Sequence, residues 1–300
     1  MDHLWGIDLG GTKIEGVILE NANHLNVIER MRIPTEAEHG YEHILNQINK
    51  LIELMADKVG HRPVKIGMGT PGVIDPKLQT LKNSNTTCLN GRHLKADLEK
   101  LTGLKYEMAN DANCFAMAET NLGIVKEKVP NAKVVFGIIM GTGVGGGLVI
   151  NGKAIYGRHG IGGEWGHIIL DENGPDCYCG KNGCVEKIIS GTALEKYYFY
   201  LSGKQSKLKD IVSNRKNDKF AKQTVQHLIN NFGKGLSYII NVIDPDAIVL
   251  GGGVGNIELL YTEGVKEAEK YIFNHTLETA ILKPKLGDSA GVFGAALLLQ

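Results

Sequence analysis

Neither sign of charge is in excess: 33 lysines and arginines stand against 33 aspartates and glutamates. A balanced chain has no strong field with which to hold a polyanion, so nucleic acid and anionic membrane surfaces are excluded as main partners and a small-molecule ligand is expected. Cysteine is scarce and odd in number. Five occur in 300 residues, and Cys177, Cys179 and Cys184 are crowded together, which is not the disulfide framework of a secreted domain. The opening MDHLWGIDLG has no basic region and Asp8 cuts its apolar run, so it reads as neither export signal nor anchor. A reducing, cytoplasmic compartment is the expectation. Long apolar runs are missing too, with one near exception. Val134 to Ile150 approaches membrane-spanning length, but its six glycines at roughly 1 kcal/mol each argue against a helix and predict two buried strands around a glycine turn.

What is present alternates strand and helix signals. Apolar runs at WGIDLG, IEGVIL, VKIGMGT, VVFGIIMG, GGGLVI and AIVLGGG read as strands. YEHILNQINKLIELMADKVG and TVQHLINNFGKGLSYIINVI carry helical periodicity, so the class is α/β, with enough apolar residues for two cored domains. GIDLGGTKIEGVIL (Gly6 to Leu19) and GIIMGTGVGGGLVI (Gly137 to Ile150) match in length and in three glycines, Gly6/Gly137, Gly10/Gly141 and Gly16/Gly147. The chain therefore looks internally duplicated, each copy a hairpin whose turn is free of bulky side chains and lets backbone N–H groups approach phosphate. Asp8, a carboxylate inside an apolar strand two residues before the first turn, is costly without a cation or donors, and Mg²⁺ bridging phosphate oxygens is a natural partner. A third glycine turn follows the strand AIVLGGG, at Gly252 and Gly253, where exposed backbone could face adenosine. The lysine-rich segment 204–222 has interspersed acids and reads as a solvated helix.

His167 stands ten positions before Cys177, giving His-x9-Cys-x-Cys-x4-Cys, a Cys₃His set suited to tetrahedral Zn²⁺. With all four positions filled by protein, none is open to water, so the metal is expected to be structural. Glu164 lies three residues before His167 and Glu186 two after Cys184, so a metal here would staple two loops and aim both carboxylates at one place. An imidazole bound through one nitrogen keeps the other as a donor. Carboxylates and an imidazole around a neutral ligand suggest recognition of hydroxyl groups, as on a sugar. Asn110 and Asp111 in MANDANCFAMAE fall between a strand and a helix. Two readings are open for Asp111: an N-cap, or the acceptor of a hydroxyl proton in phosphoryl transfer, a reaction that needs little beyond positioning, charge neutralisation and such an acceptor.

GIDLGGTK, GTGVGGGLVINGK, EWGH, CYCGKNGCVEKIISG and IVLGGG, in this order, resemble the ROK family (repressor, open reading frame, kinase) over nearly the whole chain. The resemblance implies a two-domain actin-like, ribonuclease H-like fold and a sugar kinase using ATP and Mg²⁺, often as a homodimer. It implies Asp111 as general base, with Gly72, Asn85, Asn110, Glu164, His167 and Glu186 at the sugar. Gly10, Gly11, Thr12 and Lys13, with Gly141, Thr142 and Gly143, would hold phosphates, and Asp8 would organise Mg²⁺. The expected domains are residues 1–117 closed by a C-terminal helix at 290–300, and 118–289 carrying the zinc loop, with the hexose entering between them. The family's transcriptional repressors place a helix-turn-helix ahead of the first glycine turn; here the first strand begins by Leu4, so a sugar-sensing regulator is the less favoured reading. Among acceptors, the form KNSNTTCLNG looks most like bacterial fructokinases and puts fructose first, with N-acetylglucosamine and glucose as alternatives.

Overall fold

The structure, a computed structural model, describes residues 3–21 and 24–300. It divides into two compact units, one of residues 1–126, 152–162 and 286–300, the other of 127–151 and 163–285. The first boundary thus lies at 126 where 117 was expected. Residues 152–162, expected in the second domain, count with the first unit because they are anchored there: Asn121 donates to the Gly152 carbonyl at 3.1 Å, Lys82 donates to the His159 carbonyl at 3.2 Å, and Gly160 lies against Ile74 and Pro76.

In the first unit the sheet runs His24–Pro34, Lys13–Asn21, Leu4–Leu9, Lys65–Thr70, Lys105–Asn110. The first three strands are antiparallel neighbours, and the last two run parallel to Leu4–Leu9. The amphipathic helix Tyr41–Val59 buries Ile44, Ile48, Leu51, Ile52 and Met55 in its core. On the sheet's glycines sits the C-terminal helix Ala290–Leu297. A Cβ at Gly67 would run into the Ala295 carbonyl, and one at Gly6 would reach the Ala296 nitrogen at 2.6 Å. This close approach is why two strands that face a helix carry glycine. Gly67→Ala is accordingly expected to destabilise the protein by about 1–3 kcal/mol, the usual cost of overpacking, in urea unfolding; unchanged stability would mean that the helix does not pack this closely.

The second unit's sheet contains Val144–Ile150, Val134–Met140, Ala247–Gly251 and Ala280–Leu282 in that order, the last three parallel. The 25-residue helix Lys219–Ile243 is capped by Asp218, whose carboxylate accepts from Phe220 and Ala221 N–H, and buries Leu228, Phe232 and Leu236 in the core. No helix among the described residues is long and apolar enough to cross a membrane.

Both predicted hairpins form, but they are not identical. Leu9 pairs with Ile14 in the first, whereas Met140 pairs with Val144 in the second, so the second turn is one residue shorter. The turn bonds record the same difference: Gly10 N–H donates to Lys13 O at 3.0 Å, and Gly141 N–H to Gly143 O at 2.9 Å.

Candidate functional site

Open α/β sheets present their ligand sites at the C-terminal ends of parallel strands. In the first unit those ends are Asp8–Leu9, Thr70 and Asn110. A cavity of about 640 Å³ opens there, lined by Asp8, Gly10, Gly11, Thr12, Asn85 and Asp111. The structure thus brings together the predicted base, the predicted cation holder, the first glycine turn and one predicted sugar contact. Lys13 follows on the turn, its ammonium 4.0 Å from Glu15. Gly72 sits at the strand-end bend after Thr70, where a Cβ would meet the Ser84 nitrogen at 3.0 Å.

Capping of the helix Asp111–Asn121 resolves the double reading of its first residue. The cap is Asn110, whose Oδ1 accepts from Asn113 N–H at 2.9 Å and from Asn113 Nδ2 at 2.7 Å. Asp111 is therefore released from capping, and its carboxylate accepts from the adjacent Ala112 N–H, at 2.8 Å, and from its own backbone N–H. Its side chain is exposed into the cavity while protein crowds it from behind, and that desolvation raises its pKa above the ordinary carboxylate value. Asp8 is pushed up to about 6, by desolvation first and then by the charges of Asp111 and Glu15, with Lys13 opposing. Glu15 faces it from the neighbouring strand, buried under Arg30 and Arg32. A carboxylate pair held in this condition is a place where a divalent cation would be favourable, since it reverses the cost of both charges.

In the second unit a cavity of about 950 Å³, within the size range of small-molecule sites, opens at the ends of Val134–Met140 and Ala247–Gly251. Gly141, Thr142 and Gly253 supply backbone, and Leu208, Val212 and Ile257 an apolar wall. Gly252, at φ +78°, lies against the Met140 backbone, where a side chain would not fit. Sequence reading missed this wall. The segment taken for a solvated helix contains Leu208–Asn214, whose Leu208 and Val212 face the cavity, with Lys207 and Arg215 at its rim. The start of the helix Gly191–Ser202 is tied to the glycine turn, Gly191 N–H donating to Gly141 O at 2.8 Å and Thr192 Oγ1 to Thr142 O at 2.6 Å.

The same unit holds the knuckle. One ligand atom from each of His167, Cys177, Cys179 and Cys184 can be chosen so that all lie within 4.8 Å of one another. His167 Nδ1 is 3.5 Å from Cys177 Sγ, and Cys179 Sγ is 3.5 Å from Cys184 Sγ. A tetrahedron with zinc–sulfur bonds of about 2.3 Å has edges of roughly 3.7 Å, so the set fits that ion. Burial and the neighbouring thiols push Cys184 up to about 12, because three packed sulfurs cannot all ionise without a cation among them. Cys88 and Cys114 belong to the first unit and lie outside this set.

Around the knuckle, Glu164 immediately precedes the single turn Trp165–His167, and Glu186 lies in the first turn of Val185–Ile189, which starts directly after Cys184. The Glu186 Oε2 accepts from Val144 N–H at 3.2 Å and would lie 2.7 Å from a Cβ at Gly143. Glu186 is thus bound to the second glycine turn, which its position in the sequence did not foretell. Tyr178, between two of the cysteines, bonds His167 Nε2 through its hydroxyl at 3.0 Å. Its phenol pKa is pushed up to about 12 by desolvation and by nearby anionic groups, Glu186 foremost and Glu164 among them.

Comparison with known proteins agrees with this architecture. The model of the ROK family matches residues 4–300. An N-acetyl-D-glucosamine kinase of Aliivibrio fischeri is 36% identical over 306 residues, covering 98% of each chain. A ROK hexokinase from Thermus thermophilus superposes with a TM-score of 0.88 at 29% identity, over 99% of this chain and 97% of that one. A ROK glucokinase from Streptomyces griseus, solved with glucose and AMPPNP, gives 0.76 at 27% identity over 98% of both chains. With its family model matched from the first strand to the last residue, the chain belongs to the ROK family.

Proposed function

We propose that this protein transfers the γ-phosphoryl group of ATP to a hydroxyl of a free hexose derivative, with N-acetylglucosamine as the preferred acceptor. The observation that carries the kinase reading is Asp111, relieved of capping by Asn110 and exposed into a cavity shared with Asp8 and the first glycine turn. Asp111 accepts the proton of the attacking hydroxyl. In the first unit Asn85 and Asn110 are assigned to hydrogen-bond sugar hydroxyls, and in the second unit Glu164, His167 and Glu186 are assigned the same task. Backbone N–H groups of Gly10–Lys13 and Gly141–Gly143 cradle phosphate oxygens, and the apolar wall of the larger cavity takes the adenine. Mg²⁺, held near Asp8, would neutralise charge on the phosphates. Zn²⁺, held by His167, Cys177, Cys179 and Cys184, would fix the loop that carries the sugar contacts.

The acceptor is where the sequence expectation gives way. Fructose came first on the strength of KNSNTTCLNG, but the relative at 36% identity is an N-acetylglucosamine kinase, which supports the alternative better. The segment itself forms part of the first cavity through Asn85 and Thr86, and Asn90 locks its bend by accepting from Ser84 N–H at 2.9 Å and donating to Ser84 O at 3.0 Å. A rigid wall of this kind selects by leaving a buried polar group unpaired when the matching substituent is missing, which can reach ~10⁴-fold. Coupled ADP release across N-acetylglucosamine, N-acetylmannosamine, glucose, mannose and fructose is expected to give kcat/KM at least tenfold higher for N-acetylglucosamine than for fructose. A win for fructose would restore the first expectation. No ADP release with any of them would remove the kinase reading.

A further inference from the structure

We propose that Tyr178 is a latch on the sugar site: its hydroxyl occupies the His167 Nε2 position when no acceptor is bound, and a sugar hydroxyl must displace it. The inference rests on the assignment of His167 as an acceptor contact made above.

An imidazole offers two nitrogens. Nδ1 of His167 faces Cys177 Sγ at 3.5 Å within the four-ligand set, so with a metal on Nδ1 the proton resides on Nε2. That single N–H can serve one strong acceptor at a time, and Tyr178 Oη, 3.0 Å away, has it. A sugar hydroxyl that is to accept from His167 finds the position taken.

The local structure makes displacement easy for the side chain and hard for the backbone. Cys177 and Cys179 flank Tyr178, so metal ligation pins the chain on both sides. The residue is nonetheless 69% exposed. Its ring meets the imidazole edge-on, with centroids 5.1 Å apart and planes at 86°, and lies 5.3 Å from the Lys187 ammonium. Neither contact encloses it, so rotation about χ1 carries the phenol into water at the cost of one hydrogen bond and a weak ring contact.

A competing arrangement uses the same bond differently. If Tyr178 stays in place while accepting from His167, its own O–H remains free to donate to the sugar, and the phenol is then a direct contact. The two arrangements predict opposite signs on removal of the hydroxyl. Equilibrium binding of N-acetylglucosamine and glucose to the metal-loaded protein, without nucleotide, is measured calorimetrically for wild type, Tyr178→Phe and Tyr178→Ala, with metal content determined on each sample. The latch predicts that Tyr178→Phe binds the preferred sugar about three- to tenfold more tightly, roughly 0.7–1.4 kcal/mol at 1.4 kcal/mol per tenfold, with one metal per chain retained. Tyr178→Ala should bind at least as tightly as Tyr178→Phe. Weaker binding by Tyr178→Phe at full metal content would overturn the latch in favour of a direct contact, and unchanged binding would show that the bond carries no weight. If neither wild type nor variants bind any hexose, the kinase reading itself fails, and the latch with it.

Discussion

Asp111→Asn is expected to lower kcat by about 10²- to 10⁴-fold, the usual reach of a general base, while the affinities for sugar and nucleotide change little. The amide keeps the shape and the acceptor oxygen that takes the Ala112 N–H, so the loss is confined to proton acceptance. Activity within a few-fold of wild type would remove Asp111 from the mechanism. The pH profile adds an independent reading. Desolvation raises the Asp111 pKa above its ordinary 3.8, so the ionised base is lost as pH falls through a value higher than that, and kcat/KM should show its acid limb there. The same shift has a stability consequence of fixed sign. A carboxyl whose folded pKa is raised favours the fold below its unfolded pKa and loses that contribution as pH rises through the folded one. Asp111→Asn, which cannot ionise, should therefore unfold at a higher temperature than wild type at neutral pH, and the gap should close in acid. Solvent reaches this side chain through the cavity, so the gap is smaller than for a sealed carboxyl. An inactive variant that is more stable than its parent is the signature of a residue kept for chemistry.

The features legible in the sequence were those whose chemistry lies within a short stretch of chain. A glycine turn between two apolar runs, three cysteines within eight residues and an Asn-Asp pair before a helical pattern each carry their meaning locally, and all appear in the structure. Pairings between distant residues were not legible. Nothing near Asp111 says that Asn110 takes the capping role, because either residue type can do it and the choice depends on how the strand delivers the chain. The bond from Val144 N–H to Glu186 spans 42 residues, and the apolar wall of Leu208 and Val212 shares its cavity with Ile257 although it comes from a lysine-rich segment. The one-residue difference between the hairpins escaped for another reason. The repeat aligns by its glycines, whereas strand register is fixed by backbone pairing across the turn, and the two need not coincide. Acceptor preference is the extreme case, since it depends on which buried polar group goes unpaired.

Removing the metal should have the second large effect. Wild type is expected to hold one zinc per chain, and Cys184→Ser, or exhaustive treatment with a strong chelator, to abolish it, whereas Cys88→Ser and Cys114→Ser should retain it. Residues 168–184 are poor in regular structure: isolated bridges at Ile169–Cys184 and Asp176–Asn182 and a few turn bonds, such as Leu170 N–H to Gly183 O at 2.8 Å, are what the backbone contributes. Structural zinc is worth on the order of 10 kcal/mol in small peptides, far more than these bonds supply. Without it the loop loosens, and Glu164, His167 and Glu186 lose their fixed positions together. Three hydrogen bonds at about 0.5–1.5 kcal/mol each correspond to roughly 10- to 10³-fold in sugar affinity. Nucleotide binding should weaken as well, though less, because Glu186 is only one of the supports of the second glycine turn; Gly191 and Thr192 hold it independently. Calorimetric titration of the metal-free protein with sugar and with an ATP analogue separates the two effects. Equal loss of both affinities would point to collapse of the second unit, and unchanged sugar affinity in protein shown to be metal-free would separate the knuckle from the sugar site altogether.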